Sequence, residues 1–439
     1  MSRITARLKI SPATFIWRMS RDPLGMLSRM HAQHGSFVFV HSGSRRLYLT
    51  IEPDLVRDVL VTEGLKFSKS RGLEMTKRLL GNGLLTAGRE LHLRQRRLVQ
   101  PAFAKNRMAG YAQVIVDTTA EHLRGWRDGR FFDLSSELMA ITLDIITRTM
   151  FGDSIGDRTP LVQQAMHDSL QSFNVGMIPL MPLMQYLPTD SNRRFRRARR
   201  QLDEIIYELI EQRRDSGDQG DFLSMLMMAR DGGSGMSDEQ LRDECMTIFL
   251  AGHETTANAL SWTLALLGHH PEWLERIREE IDRVGPLDYD KLIGCRWVTQ
   301  EAMRLYPPAW VIGRMAREPV EIGGEPVEPG SVMIMTSAVA HRQPQYFERP
   351  DEFLPQRWGS NESLPKFAYF PFGGGNRVCI GEHFARMEAV LVLAALVRDW
   401  DFRMLDRLPA VQPRITLRPL GGLPVELRRR AAVAPVAAR

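Results

Sequence analysis

"FPFGGGNRVCIG", residues 370 to 381, sets three consecutive glycines, an arginine and one of the chain's three cysteines in a run of twelve. Adjacent glycines are costly to order and add nothing to a core, so the run needs another reason. Gly373, Gly374 and Gly375 permit positive φ and let main chain approach a flat partner closely. Cys379 is followed by Gly381 and then by "EHFARMEAVLVLAALVRDW" (382 to 400), an amphipathic stretch that predicts a helix. The cysteine therefore stands at a helix N-terminus, where free N–H groups and the dipole favour a thiolate. Arg377, two residues upstream, is placed to pair with an anion on the same partner. A lone cysteine would read as a buried thiol beside a turn; the glycine cradle, the arginine and the helix start set this one apart.

The whole chain bounds that reading. It has 439 residues, 44% hydrophobic and 25% charged, with net charge +6, enough apolar content for a large core. The densest basic run, "NRRFRRARR" (192 to 200), reads as a solvated helix face, with nucleic acid or an anionic membrane as the alternatives. It lacks the interleaved aromatics of a single-strand binding groove, so no nucleic-acid partner is expected. Cys245, Cys295 and Cys379 lie far apart with no CxxC pair, which excludes a disulfide framework or zinc site and fits a reducing, cytoplasmic location. The N-terminal segment has no apolar run of about 18 residues, so no membrane span is expected, and its apolar pieces are too short for a signal peptide.

Neither a repeat nor a long linker is visible, and one domain over 1–439 is expected, mainly α with small β-sheets. Its parts are a lead-in (1–34), a β-rich part (35–70), a long central helix (237–268), the cysteine loop (370–381) and a flexible tail (428–439). "GSFVFVHSGSRRLYLT" (35 to 50) reads as a β-hairpin, residues 52 to 300 are mostly helical in period, 320 to 337 read as a second small sheet, and 414 to 427 as a further hairpin.

The central helix starts at Ser237, which forms a capping box with Gln240, and stops at Gly268 before Pro271. Roughly thirty residues at 1.5 Å each give about 45 Å, enough to cross a domain. Its flanks are apolar nearly all round, yet its centre is Ala251-Gly-His-Glu-Thr-Thr256. Unpartnered buried polar groups cost about 2–7 kcal/mol, and Gly252 costs about 1 kcal/mol against alanine. Two explanations stand: a functional site, or threonines bonded back to i−4 carbonyls with a glycine allowing close helix packing.

The run Phe372 to Gly381 resembles the haem-binding signature of the cytochrome P450 superfamily at every defining position. The resemblance implies a prism-shaped helical domain beside a β-rich region, binding haem b. It implies that Cys379 is the axial thiolate, that Arg377 bonds a haem propionate, that Phe372 packs near the sulfur, and that Gly381 and Ala251 contact the cofactor. Residues 251 to 256 resemble the oxygen-activation segment, with Glu254 and Thr255 as the proton-delivering acid–alcohol pair; Glu254 stands where Asp is more frequent. Glu301 and Arg304 resemble the ExxR pair, with Arg357 completing a structural triad. The same spacing at Glu239/Arg242 and Glu275/Arg278 reads as surface pairs worth a few tenths of a kcal/mol. "LHLRQRRLVQPAF" (91 to 103) resembles the helix that supplies propionate partners, here His92 and Arg96, although many members carry Trp at His92 and an ordinary exposed histidine is the other reading. Arg314 resembles a further propionate arginine.

The implied activity is a monooxygenase that puts one atom of O2 into a hydrophobic small molecule: a fatty acid, terpenoid, steroid or polyketide. A peroxide-driven peroxygenase and a non-catalytic haem sensor or carrier are the rival readings; neither needs the pair Glu254/Thr255. Substrate contacts are implied at 70 to 86, 170 to 186, Leu250, Ala251, Thr255, 309 to 312 and 416 to 420. Trp310 is expected to narrow the pocket beside Val311, while the Met-rich stretch 170 to 188 is either a pliable pocket roof or core. The chain ends 60 residues after Cys379, so electrons derived from NAD(P)H are expected from a separate ferredoxin and ferredoxin reductase. Arg97 and Arg386 are the expected docking cations, and the protein is expected to be a monomer.

Overall fold

Short β-branched runs near both ends of the chain pair into one sheet, and the long helical periods between them build the rest. The computed structural model describes residues 2–152, 158–171, 187–360, 363–404 and 407–430. The six-stranded sheet has the order β1 (Ala6–Lys9), β2 (Phe37–Ser42), β3 (Arg45–Thr50), β9 (Val332–Met335), β6 (Ile312–Ala316), β4 (Phe67–Lys69). Strands β2 and β3 form the expected antiparallel hairpin, turned at Gly43 with φ +62°. The lead-in is thus no mere lead-in: β1 joins the sheet parallel to β2.

A three-stranded sheet aligns β10 (Trp400–Met404), β13 (Pro424–Arg429) and β5 (Phe131–Asp133). Two hairpins complete the β structure, β7 (Val320–Ile322) with β8 (Glu325–Val327), and β11 (Val411–Pro413) with β12 (Leu417–Pro419). Two expectations need correction. The stretch 414 to 427 is not one hairpin, because β12 returns to β11 whereas β13 pairs with β10 and β5. Arg428 and Arg429 are not tail, because they bond in register with Asp401 and Trp400; residues 431–439 lie outside the described residues.

The central helix runs Asp238–Gly268, with both bonds of the Ser237/Gln240 capping box formed at 3.2 Å. At 31 residues it spans about 46 Å. It lies against the helix Leu134–Phe151 and the cysteine helix Glu382–Asp399 within the largest apolar cluster. Gly252 fits this crossing, since a Cβ there would come within 2.9 Å of Ile146. The helix Asp190–Ser216 buries Phe195 and Ala198 and leaves the arginines of "NRRFRRARR" exposed, so the basic run is a solvated face. No helix among the described residues is long and apolar enough to cross a membrane.

Candidate active site

The cysteine loop is shaped by protein on its outer side. Gly373 and Gly375 have φ of +73° and +70°, a region that disfavours residues with a Cβ. A Cβ on Gly375 would collide with the carbonyl oxygen of Leu60, and one on Gly374 with the ring of Phe367. These glycines are thus required by the protein's own packing as well as by any flat partner. Ile312 of β6 packs over Gly373, 3.6 Å from where its Cβ would be. The loop closes with Gly373 N–H donating to Phe370 O and Cys379 N–H to Phe372 O, both at 3.0 Å.

Cys379 is accessible by surface area, yet protein is packed densely around it. Burial pushes the thiol up to about 11; the Gly381 N–H, Arg96 and Arg386 pull it down and Glu382 pushes it up. Burial thus outweighs the helix start here, and a bound iron would shift the balance toward the thiolate. Phe372 is half-buried and carries the Arg386 guanidinium over its ring at 4.7 Å.

On the central helix every residue from Leu241 to Leu267 is buried except Ala251, Gly252 and Thr255. Ala251 and Thr255 are one turn apart on one face, and the Thr255 hydroxyl donates to Ala251 O at 2.7 Å. Thr256 bonds back to Gly252 O at 3.1 Å and faces the buried Glu388 of the cysteine helix, whose carboxyl burial pushes up to about 8. The helix-packing explanation thus accounts for Gly252 and Thr256, and leaves the open strip at Ala251 and Thr255. Glu254 does not share that strip. It is 1% exposed, accepts from the Thr416 hydroxyl at 2.6 Å and is ion-paired to Arg418. The expected acid and alcohol are sequence neighbours on different faces.

Four predicted cofactor residues, His92, Arg96, Arg314 and Arg377, come together beside the cysteine, and a further basic residue that the sequence did not flag joins them. Arg96 donates to Val378 O at 2.8 Å and Arg377 to Ala87 O at 3.2 Å. The other terminal nitrogen of Arg377, Nη1, is buried with no partner. His92 is buried, which rules out an ordinary exposed histidine, and burial followed by Arg377, Lys69, Arg96 and Arg314 pushes it down to about 3. Burial and then Arg377 push Arg314 down to about 10. Lys69, at the end of β4, is the added cation. A flat dianion with an iron for the sulfur fits this surplus of buried positive charge. Haem b, with two carboxylates, has that chemistry, and thiolate ligation is one of its established modes.

Beside this cluster lies a closed network. Glu301 accepts from Arg304 Nε and Nη2 at 3.0 and 2.9 Å, from Arg357 Nε and Leu354 N–H at 3.0 Å each, and from Trp358 Nε1 at 2.9 Å. Arg304 also donates to the carbonyls of His341, Pro350 and Glu352. His341 in turn accepts the Phe370 N–H at 2.9 Å, which ties the network to the cysteine loop. Trp358 and His341 were not legible in the sequence, because their partners are remote in the chain.

Several expectations change. Arg278 and Arg242 are buried anchors rather than surface partners: Arg278 reaches Glu275, Asp401 and two carbonyls, while Arg242 pairs with Asp203 and Asp243 instead of Glu239. Trp310 does not narrow a pocket. It is 2% exposed in the core cluster behind the six-stranded sheet, and its indole N–H donates to Arg414 O. Leu250 is also buried, while Val311 is half-buried against the same cluster as Trp310. Arg97 and Arg386 already have acidic partners, Asp231 and Glu382. Residues 172–186 of the expected pocket roof lie outside the described residues.

The chain matches the family described as Cytochrome P450 over residues 13–422. It is 37% identical over 422 residues to cyclooctatin synthase of Streptomyces melanosporofaciens, covering 92% of each chain. It is 36% identical over 399 residues to cyclooctat-9-en-7-ol 5-monooxygenase of the same organism, covering 87% of this chain and 86% of the relative. To pentalenene oxygenase of Streptomyces avermitilis it is 32% identical over 424 residues, covering 92% and 90%. The chain belongs to the cytochrome P450 family, as a haem-b monooxygenase acting on hydrophobic molecules with electrons from redox partners.

Proposed function

We propose that this protein hydroxylates a terpenoid in the cytoplasm, as a monomeric single-domain enzyme supplied with electrons by a ferredoxin and its reductase. The observation that carries the substrate class is the open strip of the central helix. It offers Ala251 and the Thr255 hydroxyl, small apolar surface with a single polar group, which suits a hydrocarbon skeleton better than a charged or heavily hydroxylated molecule. Two relatives whose names give cyclooctat-9-en-7-ol and pentalenene as substrates act on terpenoids, which agrees with that surface.

Haem b, when bound, supplies the iron at which O2 is activated. Cys379 would hold that iron, with Phe372 and Gly381 beside the sulfur and Ala251 as a further contact of the cofactor. Arg96, His92, Arg314 and Arg377 would hold the carboxylates. Thr255 donates and accepts a proton through its hydroxyl at the open strip. Glu254 resupplies that hydroxyl by releasing Arg418 and turning, because in its present pairing it faces β12. Glu301, Arg304 and Arg357 hold the fold around the loop.

The test is turnover of a panel of terpenoid alkenes and alcohols with surrogate ferredoxin, reductase, NADPH and isotopically labelled O2, after a screen for the haem spin-state shift. One labelled oxygen per product is expected, and Thr255→Ala should keep consuming NADPH while releasing peroxide in place of product. Turnover confined to fatty acids, or product formed with peroxide alone, would overturn the reading.

A further inference from the structure

Phe367 is one of two residues other than glycine with positive φ among the described residues, at +70°. A phenylalanine in the left-handed region is strained, and such strain persists only where the surroundings hold it in place. Three anchors do so here. The Ala368 N–H donates to Pro365 O at 2.9 Å, the Tyr369 hydroxyl to Gln300 O at 3.1 Å, and the Phe370 N–H to His341 Nε2 at 2.9 Å. The turn sets the Phe367 ring, buried in the apolar cluster that includes Leu60, against Gly374 of the cysteine loop.

Gly374 shows how close that contact is. Its backbone is extended, with φ −172° and ψ 171°, a conformation open to any residue. Unlike Gly373 and Gly375, it needs no glycine for its dihedral angles. A Cβ there would collide with Cε1 and Cζ of Phe367, and every nearest atom to that Cβ belongs to the same ring. The ring is therefore the reason for the glycine. On the neighbouring Gly375 a Cβ would collide with Leu60 O, so the loop is held between a ring and a main-chain carbonyl just before Cys379.

We propose, resting on the haem-thiolate reading of the site, that Phe367 is a positioning residue whose ring, seated on Gly374, keeps the loop in the shape that presents Cys379. The purely structural alternative is that Phe367 only fills the cluster with Leu60 and Phe370. Its loss would then lower stability and leave the loop unchanged.

The experiment compares wild type, Phe367→Ala, Gly374→Ala and the double variant. The reduced, CO-bound spectrum of haem-loaded wild type comes first. A strongly red-shifted Soret band upholds the haem-thiolate reading independently of Phe367, and its absence would overturn that reading. The second measurement needs no haem: the rate at which a thiol reagent labels the haem-free protein, in urea well below its unfolding midpoint. Cys245 and Cys295 are 0% exposed and Cys379 is exposed, so the rate reports the loop. Phe367→Ala and Gly374→Ala should each label about tenfold faster, and in the haem-loaded protein each should lose the red-shifted band about tenfold faster. The double variant should be no worse than Phe367→Ala, because the ring that the added methyl meets is gone. Labelling and band loss at wild-type rates in Phe367→Ala would overturn the proposal. So would labelling that rises only in step with a lowered unfolding midpoint, or a Gly374→Ala effect that is the same with and without the ring. Should Phe367→Ala not fold, Phe367→Leu, which lacks Cε1 and Cζ, takes its place under the same criteria.

Discussion

The network around Glu301 and the cluster around Arg314 are both arginine-rich, and those two residues stand only thirteen positions apart in the chain. In the first, the carboxylate accepts five bonds, and the spare donors of Arg304 end on three carbonyls. In the second, Arg377 Nη1 has no partner, and Lys69, His92 and Arg314 are all pushed toward their uncharged forms. The difference separates two uses of buried charge. A network in which a carboxylate answers its arginines inside the protein fixes the fold, whereas a cluster of basic groups with no carboxylate among its hydrogen-bond partners is completed by something the protein binds.

That contrast breaks or holds on mutation. The largest effect belongs to Glu301→Ala, which strands Arg304 and Arg357. Removing one partner of a buried pair costs about 3–5 kcal/mol, so urea unfolding of the haem-free protein should shift by that amount and haem loading should fail. A wild-type midpoint would make the network dispensable. Arg314→Met should act oppositely. Haem-free stability should change by no more than about 1 kcal/mol, since a cation that repels its neighbours is removed, while haem loss should accelerate at least tenfold. If Arg314→Met destabilised the haem-free protein as severely as Glu301→Ala, the two regions would not differ in kind.

What the sequence revealed follows the same division. The loop 370–381, the capping box at Ser237 and the hairpin at 37–50 are local patterns, and each was legible from spacing alone. The reasons that Gly374 and Gly375 are glycine were not, because Phe367 and Leu60 meet them only in the folded chain. The EAMR and ERIR spacings look alike in sequence, yet both arginines are buried, and only distant partners such as Arg357 and Asp401 distinguish them. Lys69 left no sequence signal, since a lysine closing a three-residue strand is unremarkable until register sets it beside Arg314. Glu254 and Thr255 were legible as a pair but not as residues with different surroundings, because Thr416 and Arg418 reach Glu254 from more than 150 positions away.

The central claim is that Cys379 and the cation cluster above it form one haem-thiolate site. The most direct test is the spectrum of the haem-loaded protein, reduced under CO, for wild type and Cys379→Ala. A strongly red-shifted Soret band in wild type that disappears in the variant is the predicted result. The same band in Cys379→Ala would contradict the account, since the sulfur would then not be the ligand.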